Sequence, residues 1–246
     1  MIILRGQNRL SEYSEGSYEP ARELFRQAIS LDPSFARAYS SLAISYMNEV
    51  MTGYSDNPEE SLSIALELTD NAISIDQTLP HVYFSRSFAL LLRKHHSEAV
   101  EHAQRDVEID PNYADALAME ASVHTYRKDG ASFAFDPMER AIKLNPNYSS
   151  EYQGILSQAH FWTGDYTKAL EYLEIAINRN PNNIQWHIFA AAAYMKLGRT
   201  DDAEWSVVQI ESLYPDFSIE QWARERPFED PSQLDQMLAD LKSAGL

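Results

Sequence analysis

The chain has 246 residues, 44% hydrophobic and 11% aromatic, which suffices for a real core; 8 glycines and 11 prolines favour long helices over a turn-rich sheet. The lack of cysteine excludes disulfide frameworks, thiolate zinc sites and cysteine nucleophiles, and leaves the redox compartment open. A formal net charge of −17, from 37 acidic and 20 basic residues, repels a phosphate backbone, so nucleic acid is not an expected partner and a basic or neutral protein segment is.

The hydrophobic run Met1–Leu4 is far too short for a signal peptide. No stretch approaches the roughly 20 apolar residues of a membrane span, so the expectation is a soluble, cytoplasmic chain with no membrane span. Met1 falls inside a first helix that already reads as running, which points to a truncated first repeat. Next come a turn at Glu15-Gly16-Ser17-Tyr18 and a helix carrying Ala21 and Ala28, which ends at Ser30-Leu31-Asp32-Pro33. That ending recurs as Ser74-Ile75-Asp76-Gln77, Glu108-Ile109-Asp110-Pro111, Lys143-Leu144-Asn145-Pro146, Arg179-Asn180-Pro181 and Leu213-Tyr214-Pro215, at steps of 44, 34, 35, 35 and 34 residues.

Before the endings, alanine pairs recur at Ala65 and Ala72, Ala134 and Ala141, and Ala169 and Ala176, where small side chains let two helices approach closely. Glycine turns precede these segments, as in Thr163-Gly164-Asp165-Tyr166 and Leu197-Gly198-Arg199-Thr200. Each unit therefore reads as helix, turn, helix and a proline stop, and a lone hairpin of this kind buries its apolar stripe only against a neighbour. The second repeat carries an insertion near 48–60, with Asp56 or Asn57 as cap and Pro58 in the first turn of the next helix. In the fourth, Pro137 would break a running helix at a cost of about 3 kcal/mol, so Asp136 is expected to cap a late helix ending at Leu144.

The domain expectation is a solenoid of about six repeats over 1–215, followed by capping helices over 216–246. Trp222, Phe228, Leu234, Met237, Leu238 and Leu241 supply the apolar side of that cap.

This period, with its Gly, Tyr, Ala, Ala and Pro pattern, resembles the tetratricopeptide-repeat (TPR) family. The resemblance implies an all-α fold, a right-handed superhelix of antiparallel helix pairs with a C-terminal helical cap. The decorations narrow it: Leu4-Arg5-Gly6, the stretched second repeat, Asp76-Gln77-Thr78-Leu79-Pro80 and the closing run from Phe228 resemble the TPR region downstream of the catalytic domain in bacterial class III adenylate or guanylate cyclases. Nothing in the chain resembles the cyclase catalytic domain itself.

No phosphate loop, dinucleotide fingerprint, zinc-protease helix or nucleophile elbow occurs, so neither enzyme activity nor a cofactor nor a metal site is expected. His124 and His160 are expected to fill an aromatic packing slot. His95, His96 and His102 read as solvated turn residues rather than a metal cluster, and His81 and His187 as surface or groove residues.

In the TPR fold the first helix of each pair lines the concave face. Carried onto this chain, that arrangement gives a partner-binding groove of Phe84, Phe88, Leu91, Ser122, Tyr126, Gln158, Phe161, Trp162, Ile188 and Met195, beside flanking positions such as Gly154 and Lys196. Its apolar, aromatic character suits a peptide or helix presenting hydrophobic anchors. The expected function is a non-catalytic protein-interaction scaffold, the regulatory part of a larger bacterial signalling protein. Self-association of cyclase-like chains into homodimers is the second reading, and a small-ligand binder or enzyme with a polar pocket in the groove the remote third.

Overall fold

In the computed structural model every residue but Tyr13 is described, with the backbone alone of Glu15. Among the described residues there are only helices and turns, arranged in two compact units, Met1–Val123 and His124–Leu246.

The first unit contains α1 (Ile2–Leu10), α2 (Tyr18–Leu31), α3 (Ala36–Thr52), α4 (Pro58–Ile75), α5 (Pro80–Leu92), α6 (His96–Ile109) and most of α7 (Ala114–Thr125). Its hairpins are α1 with α2, α3 with α4 and α5 with α6, and they stack through α2 on α3, α3 on α5 and α4 on α5. The second unit takes over at the end of α7. A 3-10 turn (Ala131–Ala134) leads into α8 (Phe135–Leu144), followed by the hairpins α9 (Ser150–Trp162) with α10 (Tyr166–Arg179) and α11 (Ile184–Lys196) with α12 (Thr200–Leu213). The short helices α13 (Ile219–Glu225) and α14 (Gln233–Ser243) close the chain, and α14 packs on α11.

Four hairpins turn in the same way. A residue in the left-handed region follows the first helix: Gly53 (φ 81°), Lys94 (φ 63°), Gly164 (φ 85°) and Gly198 (φ 70°). The next amide in each case donates to a carbonyl in the last helical turn: Tyr54 to Glu49 at 3.0 Å, and His95 to Leu90, Asp165 to His160 and Arg199 to Tyr194 at 2.9 Å. This is the Schellman closure, which satisfies carbonyls that the helix end leaves open. Lys94 holds the glycine slot at a steric cost of roughly 1 kcal/mol.

The inter-repeat turns use their acids structurally. The carboxylates of Asp32, Asp76 and Asp110 accept the amides of Ser34, Thr78 and Asn112 at 2.9, 2.8 and 3.0 Å. Side-chain hydroxyl donation from Ser34 and Thr78, with those amides, holds the Asp32 and Asp76 carboxyls below their ordinary range.

The second repeat follows the sequence expectation, and the fourth differs from it in one detail. The insertion near 48–60 is shared between longer helices: α3 has 17 residues and α4 has 18, Gly53 makes the turn, and Asn57 caps α4 by accepting from the Glu60 amide at 3.4 Å. Asp136 is not a cap, because α8 already starts at Phe135 and Asp136 lies in its first turn. The preceding 3-10 turn ends at Ala134 in helical geometry, so the chain enters α8 without a break and Pro137 still falls in the first turn, where its missing amide costs nothing.

Core packing follows the alanines. Ala21, Ala65, Ala99, Ala134, Ala169 and Ala203 are fully buried; seven residues later the slot holds Ala28, Ala72, Asp106, Ala141, Ala176 and Ile210, each at most 5% exposed. Asp106 is the exception in kind. Neither of its carboxylate oxygens has a hydrogen-bond partner, and burial, with the charges of Asp110 and Asp115 adding to it, pushes its carboxyl up to about 8. Tyr113, also beside it, is pushed up by burial and by Asp115 and Asp106.

At Gly154 a Cβ atom would lie 2.0 Å from Cη2 of Trp186, so α9 and α11 meet at a distance that only glycine allows.

Two consequences are measurable by urea unfolding. Gly154→Ala gains roughly 1 kcal/mol of helix propensity but must displace an indole, at a cost of about 1–3 kcal/mol and more where the backbone is fixed. A net loss of stability is expected, and a variant more stable than wild type contradicts this packing. For Asp106, a folded value above the unfolded one (roughly 4) means that its contribution is complete below about pH 4 and is lost as pH rises towards 8. Asp106→Ala should therefore flatten the fall in stability over that window and gain about 1–3 kcal/mol at pH 8; an unchanged pH profile refutes the assignment.

Candidate protein-binding site

In the first unit the expected site residues divide by burial. Leu91 is 2% exposed, which leaves it almost no accessible surface to offer. Phe84 and Phe88 are half-buried one helical turn apart on α5. Phe84 stacks against the His81 ring at 6.0 Å, and Phe88 leans on the cluster of Met47, Val50, Leu62 and Leu92. Ser122 is half-buried on α7.

In the second unit the expected residues converge. Phe161 (3% exposed) packs edge-on against Trp162 at 4.9 Å and Phe189 at 5.4 Å, and Ile188 is fully buried. Thr125 Oγ1 donates to Gln158 Oε1 at 3.2 Å, fixing the α7 end against α9. Met195 is half-buried on α11. Phe161 and Ile188 are thus interior, and Gly154 is occupied by Trp186, so none of these three presents surface to a partner.

Tyr126 and Trp162 already have an occupant. The Phe228 ring, 2% exposed, lies 5.0 Å from Tyr126 and 5.1 Å from Trp162. The residues around Phe228 are held as well. The Glu229 amide donates to the Tyr126 carbonyl at 2.9 Å, and the Lys128 amide donates to Glu229 Oε2 at 2.9 Å. On α11, Gln185 Oε1 accepts from Trp222 Nε1 at 3.2 Å, and Lys196 Nζ sits 2.7 Å from Asp240 Oδ2. Of the capping residues named from sequence, Trp222, Phe228, Leu234, Met237 and Leu241 are all at 5% exposure or less, and Leu238 is half-buried. What sequence reasoning missed is that the link between the two cap helices lies on the aromatic face itself. The signal was faint: Asp230-Pro231-Ser232 repeats the Asp32-Pro33-Ser34 turn phrase, and the Ser232 amide donates to Asp230 Oδ1 at 3.0 Å as Ser34 does to Asp32.

The histidines are mostly packing groups. His124 meets Phe133 at 5.6 Å, and His160 lies between Phe135 at 4.8 Å and Tyr172 at 5.5 Å. His81, His96 and His187 depart from the solvent-facing expectation, each at 8% exposure or less. Burial, reinforced by Arg37, pushes His81 down to about 3, so it is neutral at physiological pH. His187 Nε2 donates to the Pro181 carbonyl at 2.8 Å, tying the start of α11 to the preceding inter-repeat turn. Among the described residues no three His, Asp or Glu side chains are grouped to hold a metal ion, and no helix is long and apolar enough to cross a membrane.

One ion pair stands out electrostatically. Arg22, 6% exposed, bonds both carboxylate oxygens of Glu49, one at 3.0 Å, and its guanidinium lies 4.4 Å from the centre of the Tyr46 ring. It joins α2 to α3 and is a packing device of the first two repeats.

Comparison with known proteins agrees with this architecture. The family model described as "TPR repeat" matches residues 10–49, and the one described as "Anaphase-promoting complex, cyclosome, subunit 3" matches residues 124–208. A curated relative from Rhizobium meliloti (strain 1021), "Putative adenylate cyclase 3", is 26% identical over 102 residues, 42% of this chain. The chain spans 17% of the length of that relative. Among solved structures, Pseudomonas aeruginosa pilF is similar with a TM-score of 0.57 at 20% identity, over 88% of this chain and 91% of that one. The APC/C hetero-tetramer Cut9-Hcn1 is similar with a TM-score of 0.70 at 13% identity, over 99% of this chain and 49% of that one. The 34-residue hairpin period, the alanine slots, the Schellman turns and these matches together give one conclusion: the chain belongs to the tetratricopeptide-repeat family, as an all-α solenoid.

Proposed function

We propose that the chain is a non-catalytic protein-interaction scaffold, the regulatory portion of a larger bacterial signalling protein of adenylate cyclase type. The observation that carries the scaffold reading is the pair Phe84 and Phe88, two half-buried rings on one face of α5. Aromatic anchors of this kind suit a partner helix or peptide with its own apolar side chains. The net charge of −17 favours a basic segment around those anchors. Support for the signalling context is the relative named as an adenylate cyclase, of which this chain spans only a part.

Quantitative affinity capture from a bacterial lysate, comparing wild type with Phe84→Ser/Phe88→Ser, tests the scaffold reading. A partner recovered by wild type and reduced at least ten-fold by the double variant is expected, with helix content unchanged by circular dichroism. Equal recoveries by both chains would overturn it.

Self-association is favoured by a separate observation. Trp205 is 66% exposed and Val208 50% exposed, three residues apart on one face of α12. If that face joins two copies, light scattering finds a dimer for wild type and a monomer for Trp205→Glu; a wild-type monomer at high concentration removes this reading.

A further inference from the structure

The link Arg226–Pro231 contains neither helix nor strand, and the second unit holds it in the manner of a bound peptide. Its aromatic side chain, Phe228, fills the space between Tyr126 and Trp162. Its backbone is read once, through the Glu229 amide on the Tyr126 carbonyl. Its two acids are met by the residues that follow α7: the Lys128 amide donates to Glu229, Lys128 Nζ lies 3.0 Å from Asp230 Oδ2, and Arg127 Nε lies 3.9 Å from Glu229 Oε2. The bonds from Ser232 and Lys128 push the Asp230 carboxyl down to about 2. The negative end of a helix dipole disfavours acids just beyond a helix C-terminus. Here two adjacent cations and a backbone donor outweigh it, in a chain whose charge is otherwise −17.

We infer that this is a recognition site for a linear segment of the form proline, aromatic, acid, acid. The chain's own Pro227-Phe228-Glu229-Asp230 holds it closed, and a partner protein segment of the same chemistry displaces it. The inference rests on the scaffold reading and names a second, distinct ligand class for it. The occupied site itself defines the occupant: an apolar slot for one ring, then a donor and two cations for two carboxylates. Displacement leaves the rest of the tail in place, because α13 and α14 are fastened to α11 separately, through Trp222 with Gln185 and Lys196 with Asp240. The two acid contacts are partly exposed ion pairs, one of them long at 3.9 Å, and individually weak. Tethering supplies the remainder as an effective concentration on the order of millimolar, which a free segment with a better anchor overcomes.

The probe is a labelled peptide of residues 224–233, with binding to the full chain read by fluorescence polarisation. Two variants open the site: Glu229→Arg/Asp230→Arg, which reverses both acids and removes the bonds they accept from Lys128 and Ser232, and Phe228→Ala, which removes the anchor. The opened chains should bind the peptide at least ten-fold more tightly than wild type. Adding Lys128→Glu should abolish the gain, as should a peptide with alanine in place of the phenylalanine.

If the Phe228→Ala chain does not fold, the charge-reversed chain decides alone. An opened chain of wild-type helix content that binds no more tightly than wild type overturns the inference. A wild-type dimer that disappears in Glu229→Arg/Asp230→Arg assigns the site to the tail of a second copy and overturns the partner assignment. Loss of a partner on Phe84→Ser/Phe88→Ser is independent of all these outcomes, so the scaffold reading survives if only the tail inference fails.

Discussion

The structure depends on how closely the second helix of each hairpin approaches its neighbours. A single helix pair buries one apolar stripe and leaves the other wet, so each repeat is stable only as part of a stack. The stack forms where side chains on the second helix, or in the 3-10 turn that leads into it in the fourth repeat, are smallest. Ala21 and Ala28, Ala65 and Ala72, Ala134 and Ala141, and Ala169 and Ala176 sit at the same two positions of successive repeats and are at most 5% exposed. Gly154 extends the rule to first helices, with the Trp186 indole seated where any Cβ would stand. Burying a carboxyl at one of these positions, as Asp106 does, weakens a joint at which every other repeat but the last uses a methyl group and the last uses Ile210.

Charge is spent locally before it is available to a partner. The recurring aspartates at repeat boundaries are turn-makers whose carboxylates accept backbone amides, and other acids pair along or between helices, as Glu49 does with Arg22. A surplus of acid in this fold therefore reports turn chemistry and helix pairing. The same Asp-Pro-Ser turn reused at Asp230 sets the direction in which α14 leaves the link, and so helps to place Phe228 on the aromatic face.

The aromatic residues named from sequence form a real cluster in the second unit, but a cluster and an open groove are different things. Side chains that bind a partner in trans have the same composition as side chains that bind the chain's own tail, because both need an apolar slot with polar groups at its rim. In the first unit the corresponding helix face keeps two half-buried rings, Phe84 and Phe88.

The sequence by itself determined the helices, the hairpins and the family. These follow from short-range chemistry: glycine or its substitute in the left-handed turn, proline after the second helix, and alanine at a fixed period, all local enough to repeat visibly in the chain. It also marked the cap, since Trp222, Phe228, Leu234, Met237 and Leu241 are too apolar to remain in water. Only the tertiary structure decided which groove positions are accessible. Leu91, Phe161 and Ile188 share the spacing of surface positions yet are interior, because a small rotation of a helix about its axis exchanges neighbouring positions between face and seam. It alone brought Phe228 to Tyr126 and Trp162 and set Glu229 and Asp230 beside Lys128. Those contacts join residues 66 to 102 positions apart, where no periodic signal in a single sequence links the partners.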